Sequence, residues 1–216
     1  MLTRCGIGKI IVYDFDTIEL ANMNKMFYRP EQSGWNKTMA CRHYCSELNP
    51  DTIFEAHNMN VCADDCKTKF KESITNGSLD RKEPVSMLVG CVDNLDARQW
   101  MEAVSEELQI PFLDCVVSDD AMSGSVQLII PGRTGGLEAA PIKSHMEKRA
   151  GMCAASLPTT DSIVAGIAGQ NILKYLLGFG EVAFLISYNA VTNDFQSRMT
   201  YPDPRKLAPG TAPAQC

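Results

Sequence analysis

The feature that most constrains this chain is a repeated pairing of short, unbroken apolar runs with helical segments. The runs end in acidic or amide residues. The clearest is Val85–Val92, VSMLVGCV, which stops at Asp93-Asn94 and is followed by helical spacing over Leu95–Leu108. An apolar run without alternation suits a strand buried on both faces, as in a parallel sheet. Lys9–Tyr13, ending at Asp14, has the same form.

Around these two runs the spacing predicts a helix over Asn36–Leu48, stopped by Asn49-Pro50. A strand follows over Ile53–Asn60, then a helix over Asp64–Ile74 closing at Asn76-Gly77. Phe112–Val117 and Ser123–Ile130 read as strands. Pro131–Ala150 reads as a loop with a short helix, and a helix capped by Thr160 or Asp161 runs to Gly178. Val182–Tyr188 and Phe195–Tyr201 read as paired strands. Met1–Gly8 resembles the last turn of a helix with a glycine stop. The alternation predicts an α/β fold. Its form is a Rossmann-like, mostly parallel sheet with helices on both faces and an antiparallel extension. Residues 1–201 are expected to form the domain. The proline-rich tail 202–216 is expected to be disordered.

Charge and composition exclude several classes. The chain has 20 Lys+Arg against 26 Asp+Glu, a net charge of -6. No basic stripe of the nucleic-acid-binding kind is visible. The stretch KTKFK at Lys67–Lys71 sits among acids and reads as a solvated helix face. No apolar run approaches the ~20 residues of a membrane span. The longest candidate, Ile163–Leu177, contains Gln170, Asn171 and Lys174. The N-terminus lacks the apolar stretch of a signal peptide. Nine scattered cysteines fit reduced thiols in a cytoplasmic or nuclear compartment. Cys41/Cys45 and Cys62/Cys66 are spaced i, i+4, which is not the usual C-x2-C spacing of zinc sites.

Three positions carry chemistry, each with a plainer alternative. Asp14 occupies the place of an acid at the end of a second strand, which holds ribose hydroxyls about 20 residues after a glycine-rich phosphate loop. Counted back, that loop lies before Met1, so the first βα unit is expected to be missing. An ordinary solvated turn acid explains Asp14 as well. Asp93-Asn94 can hold Mg2+ against a polyphosphate at a strand's carboxyl end, or cap the next helix, or both. Lys37 stands at a helix N-terminus, where the dipole disfavours a cation. A bound triphosphate removes that conflict, and a lone surface lysine is the alternative.

Longer stretches carry a resemblance. YDFDTIELANMNKMFYRPEQSGWNK, ELNPDTIFEAHNMNV, CVDNLDAR, GSVQLIIPG and MCAASLPTT are similar to segments of the E1-type activating enzymes. The likeness is greatest to the branch that activates the ubiquitin-fold modifier, within the ThiF-like adenylating superfamily, and runs from Met1 to about Tyr201. It implies that Mg-ATP adenylates the modifier's C-terminal glycine with release of pyrophosphate. A cysteine then takes the acyl group as a thioester and passes it to an E2. By resemblance Asp14 is the ribose-binding acid, Lys37 steadies the phosphates, and Asn60 contacts nucleotide. Asp93 and Asn94 form the CVDN pair, with Asp93 the Mg2+ partner. Cys153 is the nucleophile. A thioester needs a good thiolate leaving group, and Lys148 and Arg149 lie just upstream to lower its pKa. The family acts as a homodimer in trans.

Three departures bear on this expectation. The glycine loop is absent. The family's structural zinc is expected to be lost, because GRTGGLEAAP carries no cysteine after LIIPG and only Cys216 stands near the C-terminus. Lys25 replaces an arginine usual after ANMN, keeping the charge but losing the bidentate fork. A non-catalytic relative that binds modifier or a partner subunit is therefore the alternative. A nicotinamide-dependent oxidoreductase would use Asp14 but leave Lys37, CVDN and CAASLPTT without a role.

Overall fold

The computed structural model describes residues 1–24, 28–139 and 157–201, and the chain forms two compact units, Met1–Val85 and Ser86–Cys216. In the first unit, β1 (Lys9–Tyr13) and β2 (Ile53–His57) form a parallel pair, from Lys9 opposite Ile53 to Tyr13 opposite His57. Helices α1 (Lys37–Leu48) and α2 (Asp64–Thr75) flank the crossover and the exit of β2. The ladder is extended at one end by the Ile53 amide donating to the Gly8 carbonyl at 2.9 Å. At the other end the Asp14 amide donates to the His57 carbonyl at 3.2 Å. Phe70 of α2, buried, sets its edge against the Tyr13 ring at 5.1 Å, and Tyr13 stacks on His57 at 4.5 Å.

In the second unit β3 (Leu88–Gly90), β4 (Phe112–Val117), β5 (Ser123–Ile129), β6 (Leu185–Asn189) and β7 (Asp194–Arg198) lie in that order in one sheet. β3 and β4 are parallel, and the remaining pairings are antiparallel. The α/β class, the parallel units and the antiparallel extension match the expectation from sequence. The extension is the larger part of this sheet.

Helices α3 (Leu95–Leu108) and α4 (Pro158–Leu177) cover opposite faces. α3 lies on the face of Phe112 and Asp114. There Gly90 leaves no room for a Cβ, which would meet Met101 and Phe112 at 2.8 Å. α4 lies on the other face, where a Cβ at Gly124 would strike Val164. Val104, Phe112, Leu113 and Leu128 are fully buried between these layers. Each such side chain contributes about 1.5–3 kcal/mol by leaving water.

Element boundaries differ from expectation where a neighbour decides them. The run Val85–Val92 shrinks to Leu88–Gly90 because β4 begins at Phe112, and only there does β3 gain ladder bonds. α4 begins at Pro158 rather than at a cap by Thr160 or Asp161. Proline fits the first helical position, and the Leu157 N-cap has no side-chain bond. It ends as expected at Gly178, in the left-handed conformation. The last strand ends at Arg198 and not at Tyr201. Met1–Gly8 holds a 3-10 turn, Leu2–Cys5, closed by left-handed Gly6. The segment 140–156 and the tail 202–216 lie outside the described residues. Among the described residues no helix is long and apolar enough to cross a membrane.

One ion pair joins the layers of the second unit. Arg98 of α3 donates from Nε and Nη2 to the Asp114 carboxylate on β4, the Nη2 bond at 2.7 Å, with the side chains 2% and 1% exposed. Removing one partner of such a buried pair leaves an uncompensated charge. Arg98→Met is expected to destabilise the fold by about 3–5 kcal/mol in chemical denaturation. The paired change Arg98→Met with Asp114→Leu is expected to recover most of that loss. Equal losses in the single and paired variants would contradict this account.

In the first unit Glu55 sits between Lys9 and Arg81, each at 3.1 Å. Burial raises its pKa, but the Lys9 bond and the two positive charges outweigh it and leave the value lowered. The stabilisation is therefore complete above the ordinary Glu range, near about pH 4.3, and lost as pH falls through the lower folded value. Glu55→Gln is expected to flatten the acid side of the thermal stability profile. An unchanged acid slope would sink this reading.

Candidate nucleotide site

The first unit gathers its polar groups where β1 ends. In a parallel pair the carboxyl ends of both strands open on the same edge, so the segments after Tyr13 and His57 are neighbours. The loop after β1 folds back on the start of α1 through an isolated bridge between Thr17 and Asn36. Asn36 is the organising residue. Its side-chain oxygen caps α1 by accepting from the Thr38 amide at 3.0 Å. Its Nδ2 donates to the Asp14 and Asp16 carbonyls at 3.4 and 3.0 Å. The Asp14 carboxylate accepts from the Asp16 amide at 2.9 Å.

Lys37 then emerges from the first turn of α1 beside these acids. Its Nζ lies 2.7 Å from the Asp16 carboxylate. Burial lowers the Lys37 pKa, but the Asp16 bond and the Asp14 and Asp16 charges more than reverse this. The ammonium is held above its ordinary value and stays charged. Tyr28 stands close by, and burial pushes its phenol upward against the pull of Lys37. A charged lysine and two carboxylates thus share one loop–helix junction. The lysine opposes the helix dipole, and Asp16 compensates it.

Asn60 lies on the exposed loop after β2, at the same strand-end edge as Asp14, and accepts from the Cys62 amide at 2.9 Å. The structure therefore brings Asp14, Lys37 and Asn60 to one end of the first unit's sheet. Asp16 belongs with them and was not singled out from sequence. The signal was present in the alternating acids of Asp14-Phe15-Asp16, but only the fold of the loop onto α1 shows that the second acid meets Lys37. A cavity of about 180 Å3 on the α2 side of the same sheet is lined by Lys9, Tyr13, Glu55, His57 and Lys69 among others. None of the sequence-predicted nucleotide residues lines it.

In the second unit Asp93 and Asn94 follow β3 at its carboxyl end, and both are exposed. Asn94 is the N-cap of α3, its side chain accepting from the Ala97 amide at 2.7 Å. The capping reading of this pair therefore holds. Asp93 stands exposed at the strand-to-helix turn. Among the described residues no group of three or more His, Cys, Asp or Glu side chains is placed to hold a metal ion. Cys41 and Cys45 do approach, with sulfurs 4.0 Å apart. Burial first, and then the neighbouring thiol, push the Cys41 pKa up to about 12, which disfavours a thiolate ligand. Lys25, Cys153 and Cys216 lie outside the described residues.

Comparisons with known proteins agree with this architecture. A ubiquitin-like modifier-activating enzyme 5 from Dictyostelium discoideum is 48% identical over 211 residues, covering 94% of this chain and 55% of that protein. The Gallus gallus protein of the same name is 44% identical over 212 residues, covering 95% and 53%. The chain thus spans about half the length of these curated relatives. Among solved structures, the crystal structure of E. coli MccB with ATP superposes with a TM-score of 0.75 at 17% identity. It covers 94% of this chain and 59% of that one. At that identity the superposition speaks for a shared Rossmann-type fold alone. The ThiF family model matches residues 1–208, and the chain belongs to the ThiF family.

Proposed function

We propose that this chain carries the nucleotide-binding and acyl-transfer chemistry of an E1-type enzyme for the ubiquitin-fold modifier. The observation that carries the reading is Lys37. A charged lysine at a helix N-terminus, beside Asp14 at a strand's carboxyl end, is costly unless an anion uses it. Asp16 offsets the cost while the site is empty of anion. Incoming phosphate oxygens can then compete with Asp16 for the ammonium.

ATP fits the donor set in this reading. It supplies an electrophilic α-phosphorus and a pyrophosphate leaving group, which the modifier's C-terminal carboxylate displaces to form an acyl-adenylate. Asp14 accepts from the ribose hydroxyls, and Asn60 offers an amide to the nucleotide. Lys37 follows the negative charge as it moves onto the departing phosphates. Asp93 is assigned to Mg2+, which commonly takes one or two carboxylates and completes its shell with phosphate oxygens and water. Asn94 holds the turn that presents it. Cys153 then attacks the acyl carbon and AMP leaves, giving a thioester that can be handed to an E2. Lys25 is assigned to a partner's nucleotide in a homodimer. The identity with the named relatives supports a ubiquitin-like modifier as the acyl donor.

Two assays divide the reaction. With modifier and Mg-ATP, pyrophosphate exchange reports adenylation, and a thiol-sensitive adduct on a non-reducing gel reports the thioester. Lys37→Ala is expected to slow exchange by about 10²-fold or more, the scale for losing one preorganised charge-stabilising group. Cys153→Ala is expected to keep exchange and abolish the adduct. A folded wild-type chain that binds modifier without exchange would instead establish the non-catalytic binder.

A further inference from the structure

Cys91 and Cys115 are the two described cysteines of the second unit; Cys5, Cys41, Cys45, Cys62 and Cys66 all belong to the first. The β3–β4 ladder runs in parallel register from Leu88 opposite Phe112 to Gly90 opposite Asp114. One step further, Cys91 comes opposite Cys115. Each thiol is the leading electrostatic influence on the other, lowering the Cys91 pKa and raising that of Cys115. Cys91 is exposed and Cys115 is half-buried. We infer that Cys91 and Cys115 form a dithiol site that a peroxide closes to a reversible disulfide.

The strand register separates this pair from Cys41 and Cys45. Neighbouring strands stand about 4.8 Å apart. A disulfide needs Cα atoms about 4.4–6.8 Å apart and Cβ atoms about 3.5–4.5 Å apart. Cys91 lies one residue past the last laddered residue of β3. Cys41 and Cys45 have sulfurs only 4.0 Å apart, yet they sit one turn apart inside α1. Helical geometry holds such Cβ atoms about 5–6 Å apart, too far for the bond without breaking the helix.

The chemistry balances with peroxide as the oxidant. The exposed Cys91 sulfur attacks one peroxide oxygen, giving a sulfenic acid and one water. The Cys115 sulfur then attacks the sulfenyl sulfur, forming the S–S bond and releasing a second water. Two thiol hydrogens are lost and one peroxide is reduced to two waters. A dithiol reverses the step by exchange at the exposed Cys91 sulfur. The inference stands apart from the nucleotide reading, since bond formation needs neither ATP nor modifier.

The test is peroxide treatment of the reduced full chain, followed by non-reducing digestion and mass spectrometry. The expected result is a Cys91–Cys115 linked peptide as the main disulfide, lost on treatment with dithiothreitol. In Cys115→Ser, Cys91 is expected to stop at the sulfenic acid and become labelled by dimedone. A wild-type digest in which Cys91 is overoxidised without linkage, or is joined mainly to another cysteine, overturns the inference. The wild-type map needs no variant, so a poorly folded Cys115→Ser chain leaves the test intact.

Discussion

The second unit depends on a charge pair placed where water does not reach. Arg98 and Asp114 lie between α3 and β4, nearly inaccessible, with the guanidinium Nε and Nη2 donating to the carboxylate. An apolar contact at that place would tolerate a slide of helix against sheet. The guanidinium–carboxylate fork does not, because every shifted register leaves a buried charge unpaired. α3 is thereby pinned one turn from its start. The cap at Asn94 and the exposed carboxylate of Asp93 inherit that position. The same layer accounts for Gly90, where a Cβ would meet the Met101 side chain of α3 and the Phe112 ring of β4.

The first unit solves a different problem with an amide. Asn36 caps α1 and bonds two carbonyls of the loop after β1, so one side chain ties the strand end to the helix start. Lys37 and Asp14 share a junction because of it. The lysine faces an unfavourable helix dipole on one side and two carboxylates on the other, which keep it charged. Such an arrangement holds a cation against the unfavourable end of the helix dipole by pairing it with Asp16.

Much of this was legible beforehand. The apolar runs of β1 and β4, the helix Leu95–Leu108 and the glycine stop at Gly178 all follow from local pattern, because burial on two faces and helix capping leave direct marks in composition. Asp14, Lys37, Asp93 and Asn94 could be named because they stand at strand ends and helix starts, whereas Asn60 was named from the resemblance alone. Asp16 could not, since nothing local tells which of two alternating acids turns toward a lysine 21 residues away. The short extent of β3 was hidden for the same reason, because a strand ends where its neighbour ends.

What the sequence determined by itself was the α/β alternation, the family, and the residue types offered at each strand's carboxyl end. These are set by periodicity, capping chemistry and motif, all short-range properties of the chain. The tertiary structure alone decided the pairing of Arg98 with Asp114, the capture of Lys37 by Asp16, and the meeting of Cys91 with Cys115 across two parallel strands. Each joins groups distant in sequence through sheet register or helix packing. The side chains alone do not encode that register; it follows from which strands find each other.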